Sequence, residues 1–240
     1  MRLNDPEAVL AEYASPDGLE GRRAAYRYAE GTDAVETAFA AVAEVAPRSI
    51  LEVGSGPGML AARMAAELGA AVVALDVAVR MVELAHERGV DARLGDVQDL
   101  PFDDAEFDCA VAAWMLYHVA DVDRALAELA RVLRPGGRLV AVTNDLDHMA
   151  ELRELAGLPR LRPETPFSAR NGAELLGRHF ATVDVRDARG TIRFPDRASV
   201  EGYVRASARL GFYGDGELAA FETPLVATRA AVVFVAETAR

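Results

Sequence analysis

The chain has 240 residues, 51% hydrophobic and 27% charged, the balance of a globular domain long enough to bury a full core rather than of a disordered or fibrous chain. A formal net charge of −12 repels phosphates, so no nucleic-acid partner is expected. No apolar run is long enough to cross a bilayer, MRLNDPEAVL does not read as a secretory leader, and the single cysteine, Cys109, lies inside an apolar run. The expectation is therefore no membrane partner, no disulfide framework, no cysteine-based metal site and a cytoplasmic location.

Strand and helix patterns alternate along the chain, which predicts a parallel sheet covered on both faces. Residues 6–13 and 20–46 read as helices, broken near Pro16 and around Gly31 and Thr32. A strand over 49–54 leads into a helix over 58–68, whose Leu60, Met64 and Leu68 share a face. A strand over 71–77, a helix over 79–88 and a short strand over 92–96 follow. The strand over 107–114 precedes a helix over 121–133 with Val122, Ala125, Leu126, Leu129, Ala130 and Leu133 on one stripe. Arg134-Pro135-Gly136-Gly137 should stop that helix and turn the chain into a strand over 138–145.

Beyond 145 the alternation loosens. Helices near 147–156 and 169–179 flank a proline-rich loop, and a strand covers 181–190. A helix over 197–210 carries Val200, Tyr203, Val204, Ser207 and Leu210 on one side, and a strand over 230–237 follows. Seven strands result, the last two suited to an antiparallel edge. The chain reads as one domain: a helical lid over 1–46, a ligand-binding core over 47–145, and a half over 146–240 with a lid helix near 197–210.

The sharpest local signal is SILEVGSGPGML, where an apolar strand ends in Gly54, Gly56 and Gly58. Glycine permits positive φ and lets backbone approach a ligand at the carboxyl end of a parallel strand. A tight turn alone needs one such residue. A nicotinamide or flavin site would place its third glycine at Met59, so that reading loses ground. Asp76 ends the second strand, where a carboxylate can accept from both hydroxyls of a ribose, or can cap the next helix. Asp96 ends the third strand in GDVQDLPF, where it can accept from an adenine amine or cap its own loop.

With ILEVGSGPG, ALDVAVRMVELA, GDVQDLPFDDAEFD and HVADVDRALAELARVLRPGGRLV, the chain resembles the class I S-adenosylmethionine-dependent methyltransferases of the broad small-molecule group, closely over residues 48–145. The resemblance implies an α/β fold: a Rossmann-like, seven-stranded, mostly parallel sheet with an antiparallel last strand and helices on both faces. It implies S-adenosyl-L-methionine as cofactor. Glu52, Gly54, Ser55, Gly56 and Gly58 would line its methionine part, Asp76 with the adjoining Val77 its ribose, Asp96 and Val97 its adenine, and Ala113 and Trp114 its amino group.

Transfer of a methyl group to a small-molecule acceptor by in-line displacement needs positioning above all, with a base only for a protonated acceptor. His118 and its neighbour Tyr117 are the candidate catalytic residues. His118 can equally be a loop histidine that binds Asp121 and orients a helix start. Tyr13, Tyr26, Tyr28, Phe194, Tyr203, Phe212 and Tyr213 point to an apolar or aromatic acceptor, unless they are core, and Arg22, Arg23 or Arg27 could clamp the cofactor carboxylate. The alternative reading is a cofactor-binding protein without methyl transfer that serves as a partner subunit or regulator. Ala113 and Trp114 stand where a metal-dependent relative would carry an aspartate, so no metal is expected.

Overall fold

The computed structural model describes residues 3–162, 165–207, 212–213 and 217–240. Its main sheet contains β2 (Ser49–Val53), β3 (Ala71–Asp76), β4 (Asp91–Leu94), β5 (Phe107–Ala113), β6 (Leu133–Asn144), β7 (Thr182–Asp187) and β10 (Ala231–Glu237), in the spatial order β4-β3-β2-β5-β6-β10-β7. The five strands from β4 to β6 pair in parallel, and β10 is antiparallel to both β6 and β7. The expected seven-stranded α/β sheet with an antiparallel last strand is present. Strand order reverses beside β2, so the crevice at its carboxyl end is the topological switch point where ligands bind in such sheets.

The central strands are apolar on both sides because both faces are covered. One face sets Leu51, Val53 and Leu75 against Ala125, Leu126 and Leu129 of α6 (Val122–Val132). On the other, Ile50, Val111, Val140 and Val233 pack with α3 (Ala34–Ala43), α4 (Met59–Leu68) and α5 (Val79–Glu87). Burial of one side of α6, at Val122, Ala125, Leu126 and Leu129, accounts for the period-3.6 stripe over 121–133.

Several boundaries differ from expectation for local reasons. The helix ending at Val132 passes straight into β6, and the Pro-Gly-Gly run is absorbed as an irregularity between the Phe107–Leu133 and Cys109–Arg138 pairs, with Gly136 at φ 75°. The last strand lies inside the sheet, so β7, with no buried residue, forms the edge. The helices after β6 are shorter than expected: α7 (Ala150–Leu155), α8 (Gly172–Leu176) and α9 (Arg197–Ala206). The Leu210 expected on α9 lies outside the described residues.

The segment expected to form a helical lid is not purely helical. The region read as a helix over 20–46 divides into the end of α2 (Asp17–Ala24), a 3-10 turn, β1 (Ala29–Gly31) and α3. β1 joins β8 (Gly190–Phe194) and β9 (Leu225–Arg229) in a separate antiparallel sheet. Ile192, Phe194, Tyr203, Val204, Tyr213 and Met149 form its own core. Among the described residues no helix is long and apolar enough to cross a membrane.

At Gly190 a Cβ would stand 2.1 Å from the Glu30 carbonyl oxygen and 2.7 Å from the Arg229 guanidinium. Because the first neighbour is backbone, Gly190→Ala is expected to cost about 1–3 kcal/mol, as overpacking does. Urea unfolding measures it, and proteolysis should show the lid opening before the main sheet.

Candidate functional site

At the switch point three strand tips are stitched together by main chain and one carboxylate. Ser55 N–H donates to the Leu75 carbonyl (3.2 Å) and Gly95 N–H to the Asp76 carbonyl (3.0 Å). The Asp76 side chain accepts from Gly56 N–H (2.8 Å) and Ala78 N–H (2.9 Å). It is therefore both the brace of the glycine loop and the anchor of the α5 start, and burial raises its pKa against those bonds. Gly54, Gly56 and Gly58 all adopt positive φ, at 60°, 54° and 74°. Their surroundings differ: a Cβ would meet Met115 (2.6 Å) at Gly54 and Ala85 (2.7 Å) at Gly58, but only Leu19, at 3.6 Å, at Gly56. The protein's own packing thus demands glycine at the outer two, and Gly56 is the position that keeps backbone open to the cleft.

Glu52 lies behind this loop, 3% exposed, with Oε2 lacking any hydrogen-bond partner. Burial pushes its carboxyl up to about 8, opposed by the Ala61 N–H in the first turn of α4 and reinforced by the nearby Asp76 charge. Asp96, by contrast, is exposed, and Gln98 occupies it through its N–H (2.9 Å) and side-chain amide. Gln98 in turn accepts from Asp121 N–H (2.9 Å), linking the loops after β4 and β5. Val97 is buried and Val77 is 41% exposed beside Asp76. After β5, Trp114 takes φ 54°, and its indole N–H donates to Asn144 (3.1 Å), bracing the turn against the end of β6. Ala113, which precedes it, is half-buried.

The N-terminal helices cover these tips. Besides Leu19 on Gly56, α1 (Pro6–Tyr13) carries Tyr13 onto His118, whose Nε2 lies 3.1 Å from the phenol oxygen. Nδ1 lies 2.8 Å from the Leu3 carbonyl, an acceptor only, so Nδ1 holds the imidazole proton and Nε2 accepts from Tyr13. Burial lowers the His118 pKa to about 4 and raises that of Tyr13 to about 12. Asp121 bonds Arg124 N–H rather than His118, which corrects the loop-histidine expectation. Tyr117 stacks edge-on against His118 at 4.4 Å and lines a cavity of about 10 Å³ with Leu3, Asn144, Arg162 and Phe167.

Of the arginines considered as clamps, Arg22 pairs with Glu12 (2.5 Å) and the Ala206 carbonyl, Arg27 lies over Tyr28, and Arg23 reaches the Met59 sulfur. Phe194, Tyr203 and Tyr213 pack on one another in the lid core. Sequence reasoning missed Leu19, Glu12 and Arg162. The first two carry no local motif, and Arg162 lies in an aperiodic loop.

Residues 51–141 match a family model described as a methyltransferase domain. An O-methyltransferase of Penicillium expansum (cnsE) is 34% identical over 154 residues, 60% of this chain and 56% of that protein. A demethylmenaquinone methyltransferase of Clavibacter sepedonicus is 43% identical over 105 residues, 42% of each. The chain spans about half the length, or less, of the curated relatives that it matches. In fold it is similar to an S-adenosylmethionine-dependent methyltransferase of Thermotoga maritima, at TM-score 0.58 and 22% identity over 92% of this chain and 94% of that one. Residues 51–141, which contain β3 to β5 and most of β2 and β6, are thus similar to a methyltransferase domain.

Proposed function

We propose that the chain is a cytoplasmic enzyme that transfers a methyl group from S-adenosylmethionine to a small apolar or aromatic acceptor. The observation that carries this reading is the orphaned, buried Glu52 oxygen behind a glycine loop whose central residue is left open. A buried unpaired acceptor of this kind calls for a donor from a ligand. An amino-acid ammonium supplies one, and the open backbone at Gly56 suits a nucleoside beside it. The residues fit the cofactor.

On this reading Glu52 with Gly54, Ser55, Gly56 and Gly58 holds the methionine part. Asp76 and Val77 hold the ribose, Asp96 and Val97 the adenine, and Ala113 and Trp114 the amino end. Bound S-adenosylmethionine supplies an electrophilic methyl group. The chain's residues align the acceptor, exclude water and, for a protonated acceptor, take its proton. Tyr13 can accept that proton at its oxygen while passing its own to His118 Nε2. Tyr117 and Phe167 at the small cavity support an aromatic or apolar acceptor. A second reading, cofactor binding without transfer, is favoured by one fact: both ring nitrogens of His118 are already engaged. Titration with S-adenosylhomocysteine followed by a methyl-release assay on a small-molecule panel separates the two, since binding without turnover on any acceptor supports the second.

Three outcomes are expected. Asp76→Ala should weaken S-adenosylhomocysteine by roughly 1.5–3 kcal/mol in calorimetry, the loss typical of charged hydrogen bonds; an unchanged affinity contradicts a ribose role.

Glu52, with its folded pKa raised from 4.5 to about 8, is protonated at pH 7 in the free protein and ionises beside an ammonium. Binding at pH 7 should release about one proton, read from calorimetry in buffers of different ionisation enthalpy, and Glu52→Gln should abolish the release. The same raised pKa makes its contribution to stability disappear as pH rises through 8, so Glu52→Gln should gain on wild type at pH 9 but not at pH 4.

Tyr13→Phe should lower kcat by about 10²-fold with cofactor affinity retained. With His118 near 4, wild-type kcat should stay level from pH 8 down to pH 5 and fall only near pH 4; a limb near 6.5 argues against the relay.

A further inference from the structure

Resting on the methyltransferase reading, we infer that Arg162 recognises a carboxylate on the acceptor, so that the substrate class is small apolar or aromatic organic acids. The guanidinium lines the cavity at the carboxyl ends of β5 and β6, beside Tyr117, Asn144 and Phe167. Its backbone N–H is tied to the Leu146 carbonyl (2.9 Å), which fixes the loop just beyond β6. The side chain lies over the Phe212 ring at 4.4 Å and donates through Nη2 to the His148 carbonyl at 3.2 Å. Its Nε is buried without a partner.

The acids around the cavity are held by other groups, with one buried oxygen of Asp147, a side chain itself 3.7 Å from Arg189, left without a partner. Asp145, also at the cavity, is held by Arg170 (3.0 Å) and Arg189 (2.9 Å), so two cations offset its repulsion of an incoming anion. Glu151 binds Thr228 and Arg160. Among the described residues Arg162 has no ion pair. Its field nevertheless reaches the hydroxyls of Tyr26, Tyr117, Tyr203 and Tyr213, and it helps keep the buried His148 neutral. Two buried arginines donate to backbone carbonyls: Arg153 to those of Pro159 and Phe212, and Arg229, whose Nε is also unpartnered, to those of Glu30 and Thr32. A half-buried guanidinium whose Nε has no partner and which forms no ion pair among the described residues gains from an anion that joins it, and its planar fork matches a carboxylate. The cavity of about 10 Å³ holds no more than one small group, so admission of the rest of an acid requires Leu3 and the N-terminal segment to move aside.

The test uses the full chain saturated with S-adenosylhomocysteine and three probe acids, benzoate, phenylacetate and 3-phenylpropionate, each against its amide. Ligand-observed NMR titration should show at least one acid binding about tenfold or more tightly than its amide. Arg162→Gln should erase that preference, Arg162→Lys should restore part of it, and affinity for S-adenosylhomocysteine should be the same in all three proteins. Equal binding of acids and amides, binding of no acid, or a preference that survives Arg162→Gln overturns the inference. Loss of the methyltransferase reading would register separately, as failure of the wild-type chain to bind S-adenosylhomocysteine.

Discussion

The site depends on the Asp76 carboxylate, which is 7% exposed and grips one N–H from the glycine loop and one from the start of α5. A carboxylate so deeply placed is tolerable only because those two donors replace water. Its grip fixes a loop that three left-handed residues would otherwise leave free to adopt many shapes. With Ser55 and Gly95 bound to the neighbouring strand end, the tips of β2, β3 and β4 become one rigid platform. Burial of this brace also links it to Glu52, whose protonated state is maintained partly by the charge of Asp76.

A platform needs a cover, and the lid is fastened by contacts between distant parts of the chain. Gly18 and Gly21 let α2 approach α9 closely: a Cβ on Gly21 would stand 2.6 Å from that of Ala206. Arg22 fixes the same contact by joining Glu12 to the Ala206 carbonyl. Because Leu19 of this helix lies over Gly56 and Tyr13 binds His118, cover, cofactor loop and acceptor side are mechanically continuous. Displacing the N-terminal helices would expose Gly56 and break the Tyr13–His118 bond together, so under the proposed function ligand entry and loss of the Tyr13–His118 relay would be one motion.

What the sequence disclosed follows the range of the forces involved. The parallel core was legible because its signals are local: apolar runs buried on both faces, a stripe along residues 121–133, glycines at a strand end. The glycines were only partly understood, since the demand for Gly54 and Gly58 comes from Met115 and Ala85, far away in sequence. The small sheet was invisible: β1 has three residues, and its pairing with β8 depends on neighbours some 160 positions away. Likewise, the aromatic residues assigned to an acceptor pocket belong largely to the lid core, because helical spacing cannot distinguish a face turned to a second sheet from one turned to a ligand. Arg162 escaped notice for a related reason, since its meaning lies in what surrounds it.

Charge reverses between surface and cleft. The chain carries a formal −12, and several acids near the site are offset locally: Glu52 is protonated, the Asp76 carboxylate accepts from backbone donors, Glu12 pairs with Arg22 and Asp145 with two arginines, while Asp96 stays exposed. Among the described residues Arg162, at the cavity, forms no ion pair. An acidic exterior favours the approach of a cationic donor over that of its neutral by-product, while also repelling acids in bulk solution. That repulsion is screened within about 8 Å at physiological salt, whereas a half-buried guanidinium acts at contact and is screened less. Under the proposed function the exterior can therefore bias which cofactor form arrives without deciding which acceptor stays, and selection of the acceptor would fall to the cleft.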